Sequence, residues 1–121
     1  MAEKDFTPVF KELKKMLTGY AKKMVVAVDT PDDGYGLNVK EEYAKGQNFF
    51  AAAQVRKNYV SYYLMPVYVY HELLEGISPE LKKRMQGKSC FNFKQVEPET
   101  MAELEALTKK SYEKFVKEGL V

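Results

Sequence analysis

Apolar residues first recur at helical spacing: Phe6, Val9, Phe10, Leu13, Leu17 and Tyr20 fall three or four apart, with Lys11, Lys14, Lys15 and Lys22 between them. That period predicts an amphipathic helix, and Thr7 followed by Pro8 predicts its N-cap and first helical position. From Met24 to Thr30 the pattern becomes a β-branched run closed by Pro31-Asp32-Asp33-Gly34, which reads as a strand and a hairpin turn. Tyr35, Leu37 and Val39 then alternate with polar or small residues, so the second strand should bury one face. Glu41 to Gln47 reads as a polar loop.

Asn48 to Val55 and Tyr59 to Met65 supply two more apolar runs joined by Arg56-Lys57-Asn58, a tight connection. Alanines 51 to 53 favour a helix by propensity, but the shortness of the run and its flanking aromatics predict a strand. The economical arrangement is a meander of four antiparallel strands. Pro66 should end the fourth, since it has no N–H for a central ladder. Tyr68 to Glu75 is ambiguous, with extended chain and a helical turn at Glu72-Leu73-Leu74. Ser78-Pro79 predicts a short helix running to about Met85 and stopping at Gly87. Ser89 to Lys94 alternates as a fifth strand, placing Cys90 and Asn92 opposite Phe91 and Phe93. Pro98 to Glu118 sets Met101, Leu104, Leu107, Ser111 and Phe115 on one helical stripe before Gly119. The expected fold class is therefore α+β: an antiparallel sheet of about five strands packed against N- and C-terminal amphipathic helices.

Length and composition narrow this to one domain over 1–121. The chain has 121 residues, 45% apolar and 13% aromatic, with nine Tyr and seven Phe, enough for a packed core without staples. The single cysteine, Cys90, has no partner within the chain for a disulfide and suits a reducing compartment. The acidic start, Met1-Ala2-Glu3-Lys4-Asp5, lacks the apolar core of a signal peptide, and no run approaches the roughly 18 apolar residues of a membrane span. A cytoplasmic protein is the expectation. With 19 Lys and Arg against 17 Asp and Glu, the net charge of +2 is too mild to mark a nucleic-acid binder by itself.

The segment Tyr59-Val60-Ser61-Tyr62-Tyr63-Leu64-Met65-Pro66-Val67-Tyr68, then Glu72-Leu73-Leu74-Glu75-Gly76 and Ser78 through Lys94, resembles the YdhG-like family, a bacterial domain of unknown function. The resemblance runs from about Met24 into the C-terminal helix and implies a compact α+β domain. One branch is similar to frataxin and is described as an intracellular iron chaperone, with an acidic ridge on the first helix and adjoining strand. Iron prefers such clustered carboxylate oxygens. Here the first helix is lysine-rich, and only Glu3, Asp5, Glu12, Asp29, Asp32 and Asp33 offer carboxylates, a departure from that pattern.

Candidate chemistry is sparse. His71 and Glu75 would share a helical face, but one His and one or two carboxylates make an incomplete zinc set. Lys88 and Lys94 near Cys90 would lower its thiol pKa and favour a nucleophile, whereas the alternation makes it a structural thiol. Gly87-Lys88-Ser89 fails as a phosphate loop, because the upstream glycine is missing and the segment follows a helix and enters a strand. Tyr59 and Tyr63 share one strand face with Ser61, and Tyr62 lies opposite with Val60 and Leu64. Beside Arg56 and Lys57 such rings would stack bases, cover a sheet, or line a pocket for a small organic anion closed by Lys88 or Lys94.

The sequence thus points to a noncatalytic binding module, taking a small anionic or aromatic ligand or a protein partner on the Tyr-rich side of the sheet. Its candidate ligand-binding residues are Lys57, Tyr59, Tyr63, Lys88, Cys90 and Lys94, with no catalytic residue and no cofactor. The alternatives are a frataxin-like iron chaperone, for which iron would be the cargo, and a thiol enzyme using Cys90. Membrane and nucleic-acid partners are not expected, and the sequence sets no oligomeric state.

Overall fold

The computed structural model describes residues 6–30, 33–40 and 49–119. The loop expected from Glu41 to Gln47 lies outside them, as do Glu3, Asp5, Pro31, Asp32 and Asn48. The chain forms α1 (Thr7–Thr18), β1 (Val25–Thr30), β2 (Gly34–Asn38), β3 (Phe49–Val55), β4 (Val60–Leu64), α2 (Met65–Val69), α3 (Pro79–Lys83), β5 (Met85–Gln86), β6 (Cys90–Phe93) and α4 (Pro98–Lys117). The class is α+β, with one antiparallel sheet in the order β1-β2-β3-β4-β6-β5. The first four strands form the expected meander. No helix among the described residues is long and apolar enough to cross a membrane.

Three local details differ from the sequence expectation. The strand expected to end at Pro66 ends at Leu64 and passes directly into α2, and Pro66 sits in the first turn of that helix, where its missing N–H costs nothing. Helix α3 stops at Lys83, and Met85–Gln86 pairs with β6 as a sixth strand. Gly87, at φ +80°, therefore serves the β5–β6 hairpin turn instead of ending the helix. The helical turn expected at Glu72-Leu73-Leu74 is present and differs in kind, being a 3-10 turn, His71–Leu74, after which Glu75 is extended. His71 and Glu75 consequently do not share an α-helical face.

The caps follow chemistry legible in the chain. Ser78 Oγ accepts from the Leu81 N–H at 3.1 Å, satisfying one of the free donors of α3. Gly119, at φ +77°, follows the end of α4 in the left-handed conformation that stops a helix. Helix α1 begins at Thr7, one residue earlier than the Thr7 cap would place it.

Cross-strand register divides the sheet into two faces. Leu37 lies opposite Ala51 and Ala51 opposite Leu64, and Tyr35, Ala53, Tyr62 and Phe91 form the next row. These residues are buried and meet Val9, Phe10, Leu13 and Leu17 of α1 and Leu104, Leu107 and Phe115 of α4 in one core. Ala51 and Ala53 leave room for α1 to approach the strands, and each fully buried Leu or Phe adds about 1.5–3 kcal/mol. A bulge between Leu37 and Asn38 leaves Phe50 without a register partner. Phe50 is buried, and its ring meets those of Tyr20, Tyr112 and Phe115 at 6.0, 6.3 and 5.8 Å. The helices gather on this first face. The second face carries Val28, Gly36, Ala52, Tyr63 and Cys90 in one row, with Gly34, Gln54, Ser61 and Asn92 in the next.

Candidate functional site on the second sheet face

Strand alternation sorts the tyrosines. Tyr62 fills the core, where its hydroxyl lies 2.7 Å from Thr108 Oγ1. Ser61 and Tyr63 point to the second face, and Tyr59 continues the same alternation at the start of β4. Arg56 donates to the Tyr63 hydroxyl at 2.7 Å and lies 5.8 Å from the ring centroid, so the guanidinium engages both the hydroxyl and the face of this ring.

Beside Tyr63 is a polar rung. Asn92 Oδ1 accepts from Ser61 Oγ at 2.7 Å and from Cys90 Sγ at 3.4 Å. Asn92 also lines the cleft described next, with its amide oxygen engaged by these two donors. Burial pushes the Cys90 thiol up, and the Ser61 hydrogen bond, the Arg56 charge and the Tyr63 hydrogen bond counter that only in part. The lowering expected from neighbouring lysines is thus reversed, because desolvation of the thiolate outweighs the cation near it.

Two concavities open on this face. The first is a cleft of about 460 Å3 among Tyr59, Lys83, Arg84, Met85, Gln86, Asn92, Lys94, Gln95 and Glu97. Arg84 is locked to Glu97, Nε to Oε1 at 3.0 Å and Nη2 to Oε2 at 2.9 Å, a bidentate pair that spends one positive charge on one negative. Lys83 and Lys94 have no ion pair among the described residues, so the cleft is left with two uncompensated cations. The backbone of Asn92 donates to the Arg84 carbonyl at 2.7 Å, which ties the β5–β6 hairpin to the wall. The second concavity is a shallow trough of about 330 Å3 among Ala27, Val28, Gly36, Asn38, Phe49, Ala52, Gln54 and Tyr63.

Of the residues singled out from sequence, Tyr59 and Lys94 come together in the cleft, Tyr63 walls the trough, and Cys90 belongs to the rung between them. Lys57 is exposed in the β3–β4 turn. Lys88 is exposed in the β5–β6 turn, at the opposite end of β6 from Lys94, so Tyr59, Tyr63 and Lys88 do not converge. Sequence reading missed Lys83, Arg84 and Asn92 as cleft residues. The available signal was the glycine at position 87 between Met85-Gln86 and Cys90-Phe91, which marks a hairpin that folds the end of α3 back beside β6.

Among the described residues, no three His, Cys, Asp or Glu side chains gather to hold a metal. Asp29 lies 3.5 Å from Lys14, and Asp33 accepts from Thr30 Oγ1. No family model, curated protein or solved structure matches the chain.

Proposed function

We propose that the protein is a noncatalytic binding module that takes a small organic anion in the cleft between β4, the β5–β6 hairpin and the start of α4. The observation that carries this reading is the charge of the cleft: Lys83 and Lys94 stand free beside an Arg84–Glu97 pair that neutralises itself. Tyr59 supplies an aromatic wall and Asn92 a neutral polar group, the mixture of apolar surface and few polar groups that binds small ligands. The raised pKa of Cys90 favours this reading over thiol catalysis. A place in the YdhG-like family is compatible with it and specifies no ligand.

Benzoate provides the test, read by amide chemical shifts. Titration should perturb the resonances of Tyr59, Asn92 and Lys94, and Lys94→Ala should weaken the affinity about three- to tenfold, the scale of one partly exposed charge contact. Saturable binding should also weaken with added salt. If benzoate leaves these resonances unmoved at millimolar concentration, or moves them equally in Lys94→Ala, the cleft is not an anion site.

A further inference from the structure

The core stops short of β1: every residue of that strand is exposed, whereas Gly34, Tyr35, Gly36 and Leu37 of β2 beside it are buried. Of the seven large apolar side chains most open to water among the described residues, three are Val25, Val26 and Val28, so this strand concentrates exposed apolar surface. Val26 stands opposite Leu37 of the first face and Val28 opposite Gly36 of the second, which puts that surface on both sides of the sheet. Among the described residues only β2 pairs with β1, so its other edge is open. The neighbouring ladder tells which backbone groups point there. The Val55 N–H donates to the Asp33 carbonyl at 2.8 Å, so Asp33 and, two residues on, Tyr35 turn their backbone groups toward β3. Asp29, opposite Tyr35, therefore turns its N–H and C=O off the free edge, while Val28 bonds to β2. Edge strands are ordinarily blunted by shortness, lysine or proline. The opposite edge is blunted in this way, since β5 has two residues set between Lys82-Lys83-Arg84 and Lys88. From Val25 to Thr30 there is no Lys, Arg or Pro. A bulge interrupts the pairing between Val26 and Val28, but Val28-Asp29-Thr30 keep regular register with Gly36-Tyr35-Gly34.

We propose that β1 is an interface strand, pairing antiparallel with β1 of a second copy of this chain so that two six-stranded sheets join across a two-fold axis. Charge order along the chain selects this occupant. Lys22 and Lys23 precede the strand and have no ion pair among the described residues, whereas Asp29 and Asp33 stand at its far end. An antiparallel copy brings the basic start of each strand toward the acidic end of the other, and a parallel copy would oppose like charges. The contact of Lys14 with Asp29, 3.5 Å long and exposed, is of the kind that contributes little, so it does not cancel the acidic end. Apolar contact adds to the pairing, because Val28 meets the partner strand beside a trough lined by no charged residue. Association closes at two copies, since pairing uses the open edge of each and β5 is guarded. Six residues of strand pairing fall below the roughly 1,200 Å2 of standard interfaces, so the dimer is weak, with a Kd on the order of 100 μM.

The test is the oligomeric state of the full chain, read by sedimentation velocity and amide exchange from about 10 μM to about 1 mM at low ionic strength. A monomer–dimer equilibrium should appear. The Asp29 amide should gain about fivefold protection at the upper concentration, as a Kd near 100 μM implies, while the Val28 amide changes little. Val28→Lys places a lysine in each apposed strand and should weaken the dimer at least about tenfold. The charge order is tested apart from the apolar contact. Lys22→Glu with Lys23→Glu in one variant, and Asp29→Lys in another, should each weaken self-association about threefold or more by setting like charges together. An equimolar mixture of these two variants should dimerise more tightly than either alone. Circular dichroism checks the native fold of each. A chain that stays monomeric throughout overturns the proposal, and protection of Asp29 by an added alternating valine–threonine peptide instead would assign the edge to a strand of another protein. A dimer that leaves the Asp29 amide unprotected, or that Val28→Lys does not weaken, uses another surface and overturns it equally. A mixture no tighter than its components overturns the antiparallel arrangement, and growth into longer polymers overturns closure at two copies.

Discussion

Tyr62 and Thr108 form a buried hydroxyl pair whose two truncations should not cost the same. Both residues are fully buried. Thr108 Oγ1 donates its only hydrogen to the Leu104 carbonyl at 2.9 Å, so the bond of 2.7 Å between the two hydroxyls is donated by Tyr62. Tyr62→Phe removes that donor and leaves Thr108 still bonded to Leu104, and should cost about 0.5–1.5 kcal/mol. Thr108→Val leaves the Tyr62 O–H buried without an acceptor, a stranded donor worth about 1–3 kcal/mol. The double variant replaces both partners by apolar groups and should lie well below the sum of the singles, a coupling of about 1 kcal/mol. Urea unfolding of the four proteins, with m-values compared to confirm an unchanged transition, measures each term. Additive singles, or a Thr108→Val variant more stable than Tyr62→Phe, would refute the assigned direction of the bond.

Burial also raises the pKa of the Tyr62 hydroxyl far above its ordinary value of 10.0, with the Thr108 bond opposing only part of the shift. The folded state therefore holds this proton after the unfolded chain has released it, so the associated stability is complete below pH about 10 and is lost as pH rises above that. Chemical-denaturation midpoints across that alkaline range should fall, and should fall less in Tyr62→Phe; Tyr20 and Tyr35, raised mainly by burial, leave a residual slope. Gly87→Ala should destabilise by about 1 kcal/mol through its φ of +80° alone, because an added Cβ there meets nothing within 4 Å. Thermal unfolding reads that loss, and a stabilised variant would show that the β5–β6 turn relaxes to negative φ.

Periodicity carried much of this fold because each element buries one face. The alternation of Val60, Tyr62 and Leu64 against Ser61 and Tyr63 assigned the two sides of β4 from residue types alone, and the lysines between the apolar positions of α1 marked its outer surface. Ser78-Pro79 and Gly119 announced a helix start and a helix end by local backbone chemistry. Such signals act over four residues or fewer, so the chain states them without its tertiary partners.

What the sequence left open depends on contacts between distant segments. A two-residue strand has no period to read, so β5 exists only because β6 is beside it. The bulge that turns Phe50 into the core is imposed by pairing with β2, against simple alternation. Cys90 sits among lysines in the chain but is half-buried in the fold, and desolvation there outweighs the charges that sequence proximity emphasised. The cleft joins Tyr59 to Lys83 and Lys94 across three separate segments. Its residues and its net charge follow from the hairpin's return beside β4 and from the Arg84–Glu97 pairing, both decided by tertiary structure because each needs residues more than ten positions apart to meet.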